Sequence, residues 1–250
     1  MPYFTHHTHQ LFYREQGSGP LLLILPGNTA SSACHAGELD YFGRQYRAVS
    51  LDFWGTGQSD RMERWPENWW EICAHDAVAL ANHLGEQTFI ALGTSGGANV
   101  ALLLAILYPE QARAVIADST VPIFTVPAIE NAISVRNLRL PAQIEFWQLA
   151  HGDDWSQVIT ADSEMLLRFV EAGGDHFKGR LDEIGCPVLF TASLRDQSLP
   201  EIAAQTCRMA EHVANSQVFL VNGGDHPLVW TRPAEFRRAA DMFLQGLASI

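Results

Sequence analysis

In Gly93-Thr94-Ser95-Gly96-Gly97, a serine hydroxyl sits with glycines two residues before and two residues after it, directly behind the apolar run Thr88 to Leu92. A serine carried on a sharp strand-to-helix turn has a strained backbone, and the residues at those two places pack too closely to bear side chains. The helical pattern opening at Gly97 would aim its positive dipole end and free N–H groups at the spot where negative charge develops. Glycine-rich turns also serve packing or phosphate binding. The strand before this one and the helix after it favour nucleophilic chemistry.

A serine hydroxyl is a weak nucleophile until a base takes its proton and an acid orients that base. Two later segments offer both groups. Asp196 follows the apolar run Val188 to Thr191, and His226 follows the run Gln217 to Val221, inside Asn222-Gly-Gly-Asp-His-Pro227. All three groups would then emerge at the carboxyl edge of a parallel sheet, where open α/β sheets place their ligands. Their chain order is Ser, Asp, His.

The elements that must position them follow from hydrophobic patterning. Short runs at Leu21–Leu25, Tyr46–Leu51, Thr88–Leu92, Ala114–Ala117, Val188–Thr191 and Gln217–Val221 are nearly continuous, as in strands covered on both faces. Helical patterns lie between or after them at Glu67–Leu84, Gly97–Tyr108, Glu201–Val213 and Ala234–Leu247. This alternation predicts an α/β fold, a mostly parallel sheet with helices on both faces. Gln10–Gln16 reads as a hairpin arm leading into the first buried strand, adding an antiparallel edge. Residues 121–181 break the rhythm with short amphipathic pieces (129–138, 143–150, 164–172) separated by prolines and Gly173-Gly174. A structureless loop of that length is uncommon, so the segment is expected to be a small helical cap, with residues 1–120 and 182–250 forming the core.

These motifs in register resemble the α/β-hydrolase family. The resemblance extends over nearly the whole chain: the Gly27 loop, Asp52-Phe-Trp-Gly-Thr-Gly-Gln-Ser59, the serine turn, Tyr108-Pro-Glu110, the cap insertion, and the Asp196 and His226 loops. It implies a serine hydrolase with Ser95 as nucleophile, His226 as general base and then acid, and Asp196 as the orienting carboxylate. The backbone N–H groups of Asn28 and Gly96 would form the oxyanion hole, and Asp52 with the loop through Ser59 would be structural. Many relatives carry His-Gly where this chain has Pro26-Gly27. The Asn28 side chain could assist the oxyanion or merely cap a turn. Asp118 is an alternative position for the acid, whereas Asp225, next to the histidine, cannot easily fold back to its ring.

The implied reaction is cleavage of a small to medium, moderately apolar ester or lactone through an acyl-enzyme. Phe124, Phe146 and Trp147 of the cap, with Leu199 and Trp230 beside the triad loops, are the candidate pocket residues. C–C bond hydrolases and haloperoxidase-like relatives share all of these motifs, and small-molecule receptors can keep the fold. Haloalkane dehalogenases and epoxide hydrolases carry aspartate at the nucleophile position, and Ser95 argues against both.

Composition sets outer limits. With 250 residues, 47% hydrophobic and 18% charged, the chain is globular, and a net charge of −12 offers no electrostatic footprint for nucleic acid. Its longest apolar stretch, Val100–Leu107, is far short of the roughly 18 residues that span a bilayer. No basic-then-apolar leader opens the sequence, and Cys34, Cys73, Cys186 and Cys207 have neither zinc nor disulfide-framework spacing. A cytoplasmic enzyme without cofactor, acting on a small molecule, is the expectation. His6, His7 and His9 are expected on a polar strand or frayed end, without a carboxylate at metal-binding spacing. His151 and His176 are expected on solvated turns of the cap, and Trp65, Trp69 and Trp70 in packing.

Overall fold

The computed structural model describes residues 2–247; residue 1 and residues 248–250, at the ends of the expected core, lie outside them. In chain order the elements are β1 (Tyr3–His6), β2 (His9–Gln16), β3 (Leu21–Leu25), α1 (Ala36–Phe42), β4 (Arg47–Leu51), α2 (Trp69–His83), β5 (Phe89–Thr94), α3 (Gly96–Leu107) and β6 (Ala112–Asp118). There follow α4 (Val126–Asn137), α5 (Pro141–His151), α6 (Trp155–Glu171), β7 (Val188–Ser193), α7 (Ile202–His212), β8 (Ser216–Val221), α8 (Leu228–Thr231) and α9 (Pro233–Leu247). The strands form one sheet in the order β1-β2-β4-β3-β5-β6-β7-β8. From β4 to β8 every pairing is parallel, and β1–β2 and β2–β4 are antiparallel.

The run Leu21-Leu-Leu-Ile-Leu25 is apolar throughout because side chains alternate between two covered faces. Leu21, Leu23 and Leu25 belong to the core shared with α2 and α3, and Leu22 and Ile24 to the core shared with α1 and α9. The first core continues into the segment between β6 and β7 through Ile129, Met165, Leu166 and Phe169. That segment carries α4, α5 and α6.

Two expectations are corrected. Gln10–Gln16 forms β2 but does not pair with the first buried strand; it pairs with β1 on one side and β4 on the other, with Tyr13 opposite Leu51. Helix α1 escapes detection because its seven residues are too short for the period to register. Helix α6 begins at Trp155, nine residues ahead of the expected Glu164, and the added turns bury Val158, Ile159 and Asp162.

Candidate active site

Strand β5 ends on Thr94, α3 starts on Gly96, and Ser95 between them has φ 54 and ψ −123. A β-substituted residue with positive φ is strained, and the surrounding packing holds it there. A Cβ at Gly93 would fall 2.1 Å from the Gly97 carbonyl oxygen, and one at Gly97 would fall 2.1 Å from that of Leu25. The two glycines that bracket the serine are therefore demanded by close approach of backbone.

Asp196 and His226 lie on the loops after β7 and β8, and the three side chains meet in a line. His226 Nε2 is 2.9 Å from Ser95 Oγ, and His226 Nδ1 is 2.7 Å from Asp196 Oδ2. The other Asp196 oxygen accepts the backbone N–H groups of Ser198 (2.9 Å) and Leu199 (3.0 Å), which fixes the carboxylate. With Nδ1–H donating to Asp196, Nε2 is the acceptor for the serine hydroxyl.

Neither competitor reaches the imidazole. Asp118 is fully buried and accepts from Thr191 Oγ1 at 2.6 Å and from the Val229 N–H at 3.1 Å, so both oxygens are spent on core groups. Burial pushes its carboxyl up to about 6, against those hydrogen bonds. Asp225 accepts from the N–H groups of Gln197 and His226 and thereby ties the two triad loops together.

Asn28 and Gly96 also come together: a Cβ at Gly96 would lie 1.8 Å from Asn28 Oδ1. Among the described residues neither backbone N–H is spent on a backbone acceptor. The Asn28 side chain is held on both sides, Oδ1 accepting from Trp70 Nε1 at 3.2 Å and Nδ2 donating to Asp162 at 2.5 Å. That side chain braces the loop. Asp162 is fully buried on α6 and also accepts from Arg136 of α4 at 2.6 Å.

Ser95 and His226 open into a cleft of about 520 Å³ whose apolar wall includes Val121, Phe124, Ile129, Val135, Leu166 and Leu199. Of the candidate pocket residues, Phe124 and Leu199 border this cleft, and Phe146, Trp147 and Trp230 do not. Trp147 is buried within the segment between β6 and β7, stacked on Trp155 with centroids 5.4 Å apart, and Phe146 packs on Trp230, which also meets His35. Which face of α5 met the core depended on its neighbours, and its apolar spacing alone left that open. Arg136 and Asp162 escaped notice because their pairing crosses two helices and has no local signature.

The two histidines between β6 and β7, His151 and His176, are corrected from solvated to buried. His151 accepts the Gly57 N–H on Nδ1 (3.0 Å) and donates from Nε2 to the Thr29 carbonyl (3.1 Å), joining the end of α5 to two loops of the sheet. His176 is packed among Trp70, Phe124 and Phe169, and neither ring nitrogen has a partner among the described residues. Burial pushes the His176 imidazole down to about 3 from its ordinary 6.5. Between those values the unfolded chain holds the extra proton, so His176 stabilises the fold fully above about pH 6.5 and progressively less as pH falls toward 3. Asp118, pushed the other way, opposes this between 3.8 and about 6. Replacement by an aromatic that cannot titrate isolates the histidine. His176→Phe is expected to flatten the loss of melting temperature between pH 6.5 and 4.5, and parallel curves for variant and parent would refute this.

The N-terminal histidines have no carboxylate at metal-binding spacing along the sequence, but the fold brings one to them from elsewhere. Helix α2 brings Asp76 to His6 and His9, all three ligand atoms lying within 4.8 Å of one another. Trp65, Trp69 and Trp70 are buried in packing as expected, with Trp70 additionally touching Asn28. The Asp52 carboxylate accepts the Ser32 and Gln58 N–H groups, each at 2.7 Å, and is structural.

Comparison with known proteins agrees with this architecture. The α/β-hydrolase fold family matches residues 20–146, and the chain belongs to that family. It is 28% identical over 255 residues to the human serine hydrolase BPHL, covering 94% of this chain and 83% of that protein. It is 31% identical over 119 residues to the 2-(acetamidomethylene)succinate hydrolase of Mesorhizobium japonicum, a match covering 47% of this chain and 41% of the other. The enol-lactonase of Burkholderia xenovorans LB400 superposes with a TM-score of 0.79 at 17% identity, covering 98% of this chain and all of that one.

Proposed function

We propose that this chain is a serine hydrolase that cleaves a small to medium, moderately apolar ester or lactone through an acyl-enzyme. The observation that carries the reading is the unbroken line Asp196–His226–Ser95 beside two unspent amides, at the head of an apolar cleft. The relatives named as a serine hydrolase and an enol-lactonase fit the same reading.

In this reading His226 Nε2 takes the Ser95 proton as Oγ bonds to the substrate carbonyl carbon. The carbonyl oxygen becomes an anion held by the Asn28 and Gly96 N–H groups. The imidazolium, oriented and stabilised by Asp196, then returns its proton to the departing alkoxide. A water deprotonated by the same nitrogen attacks the acyl-enzyme, and Ser95 leaves with the proton as the acid is released. The partner is a small molecule, with neither nucleic acid nor membrane involved. A cytoplasmic setting suits four cysteines that are all unpaired. No helix among the described residues is long and apolar enough to cross a membrane.

The test is turnover of chromogenic esters of graded acyl length, together with the intact mass of protein quenched during turnover. A mass increase equal to the acyl group supports the reading. Absence of turnover and adduct across esters and lactones, with ligand-induced thermal stabilisation, would instead favour a receptor.

We further propose that residues 121–181 act as a cap that sets acyl preference, since Ile129, Val135 and Leu166 contribute to the cleft wall. Ile129→Ala and Leu166→Ala are expected to shift the preferred acyl length, mainly through KM. Trp147→Ala, by contrast, should destabilise the fold by about 3–5 kcal/mol, as a buried aromatic truncation does, without changing that preference. Unchanged preference in the first two variants would make the segment a structural crossover.

A further inference from the structure

We propose that His6, His9 and Asp76 form a binding site for one divalent transition-metal ion of the zinc class, at the edge of the sheet away from Ser95. The β1–β2 hairpin pairs His6 with His9 as its last cross-strand pair, so both imidazoles project from the same face. Helix α2 lies against β1 and supplies Asp76 from 67 residues further along the chain than His9. His6 Nδ1 is 2.7 Å and His9 Nε2 is 3.4 Å from the same oxygen, Asp76 Oδ1.

The hydrogen bonds leave this cluster incompletely satisfied. Asp76 is 1% exposed, and its second oxygen, Oδ2, is buried without any partner among the described residues. A buried carboxylate oxygen without a donor is costly and points to a missing cation or donor. The His9 ring is held by stacking on Trp54, with centroids 4.0 Å apart and planes 7° from parallel, so Nε2 is aimed rather than free to turn. The His7 ring lies tilted against that of His6, with centroids 4.1 Å apart, and a cleft of about 560 Å³ bordered by His7 and His75 gives water access to remaining coordination positions.

Two imidazoles and a carboxylate suit zinc and its neighbours, whose bonds to such atoms are about 2.0–2.2 Å. Tetrahedral coordination at that length separates ligand atoms by about 3.3 Å. The His9–Asp76 spacing already matches, and the shorter His6–Asp76 contact would open slightly as metal bonds replace the hydrogen bond. Three ligands leave a position for water. β2, β4 and β3 separate β1 from the serine-bearing β5, so the ion would fasten the hairpin to α2 and take no part at Ser95.

The experiment uses the full-length, untagged protein stripped with chelator and titrated with zinc chloride by calorimetry, with elemental analysis of the dialysed complex. One ion per chain is expected, with a rise in melting temperature of about 5–10 °C at a metal concentration near 100-fold above Kd. Cobalt(II) should bind at the same stoichiometry and show the intense visible absorption of a four-coordinate site. His6→Gln, at a partly exposed hairpin end, should weaken binding by about 100-fold or more, as should Asp76→Asn, while Ser95→Ala should bind as the parent does. His6→Gln tests the site even if the buried Asp76 variant fails to fold. Absence of saturable binding, or undiminished affinity in folded His6→Gln, would overturn the proposal, the latter by placing the ion on other side chains.

Discussion

Ser95→Ala is expected to reduce kcat by about 10⁶-fold on every ester the parent hydrolyses, the scale on which removing the nucleophile disables a triad. The loss should not depend on acyl length, because Oγ forms the bond and the cleft wall only holds the chain. Some acceleration over water should survive, since the variant keeps the Asn28 and Gly96 amides and the cleft. An organophosphonate reports the same centre without turnover. It should label the parent once and leave Ser95→Ala unmodified, because labelling needs both an activated hydroxyl and donors for the phosphonyl oxygen. Labelling of Ser95→Ala at the parental rate would remove Ser95 from the mechanism. Little conformational rescue is expected, because alanine at φ 54 keeps the backbone strain while losing the hydroxyl.

Asp196→Asn should lower kcat by about 10⁴-fold, the size of effect when the acid of such a triad becomes an amide. An amide at this place can donate to Nδ1, which then presents its lone pair, and the proton moves to Nε2. The nitrogen facing Ser95 Oγ at 2.9 Å would be a donor and no longer a base. The Ser198 and Leu199 N–H groups that now meet Asp196 Oδ1 should hold the amide oxygen and direct its NH₂ at the ring, reinforcing the wrong tautomer. Asp118→Asn is the decisive control. Its oxygens accept from Thr191 and Val229, so the change should act on stability and leave the pH–rate profile in place. A larger kinetic loss in Asp118→Asn than in Asp196→Asn would reverse the two assignments.

The serine turn was legible because its chemistry is local. Gly93, Ser95 and Gly97 stand two positions apart along the chain, and the strand and helix that flank them announce themselves by hydrophobic period. Asp196 and His226 were legible for a related reason, as each follows directly on a buried strand and parallel strands bring their carboxyl ends to one edge. The choice between Asp118 and Asp196 was different. Both follow strands, and only the packed structure showed that Thr191 and Val229 occupy Asp118.

By itself the sequence determined the alternation of strand and helix, the parallel sheet, the insertion after β6 and the order of the three chemical groups, because these follow from short-range periodicity and turn composition. Tertiary structure alone decided which side of each helix between β6 and β7 faces the cleft. It turned Trp147 toward Trp155 and left Ile129 and Leu166 beside Ser95. It also buried His176 among aromatics, braced Asn28 against Asp162, and brought His6 and His9 to Asp76. The physical reason is common to all of these. A helix's apolar stripe specifies that a face is buried without naming its partner, and polar contacts between residues 67 to 134 positions apart leave no periodic trace along the chain.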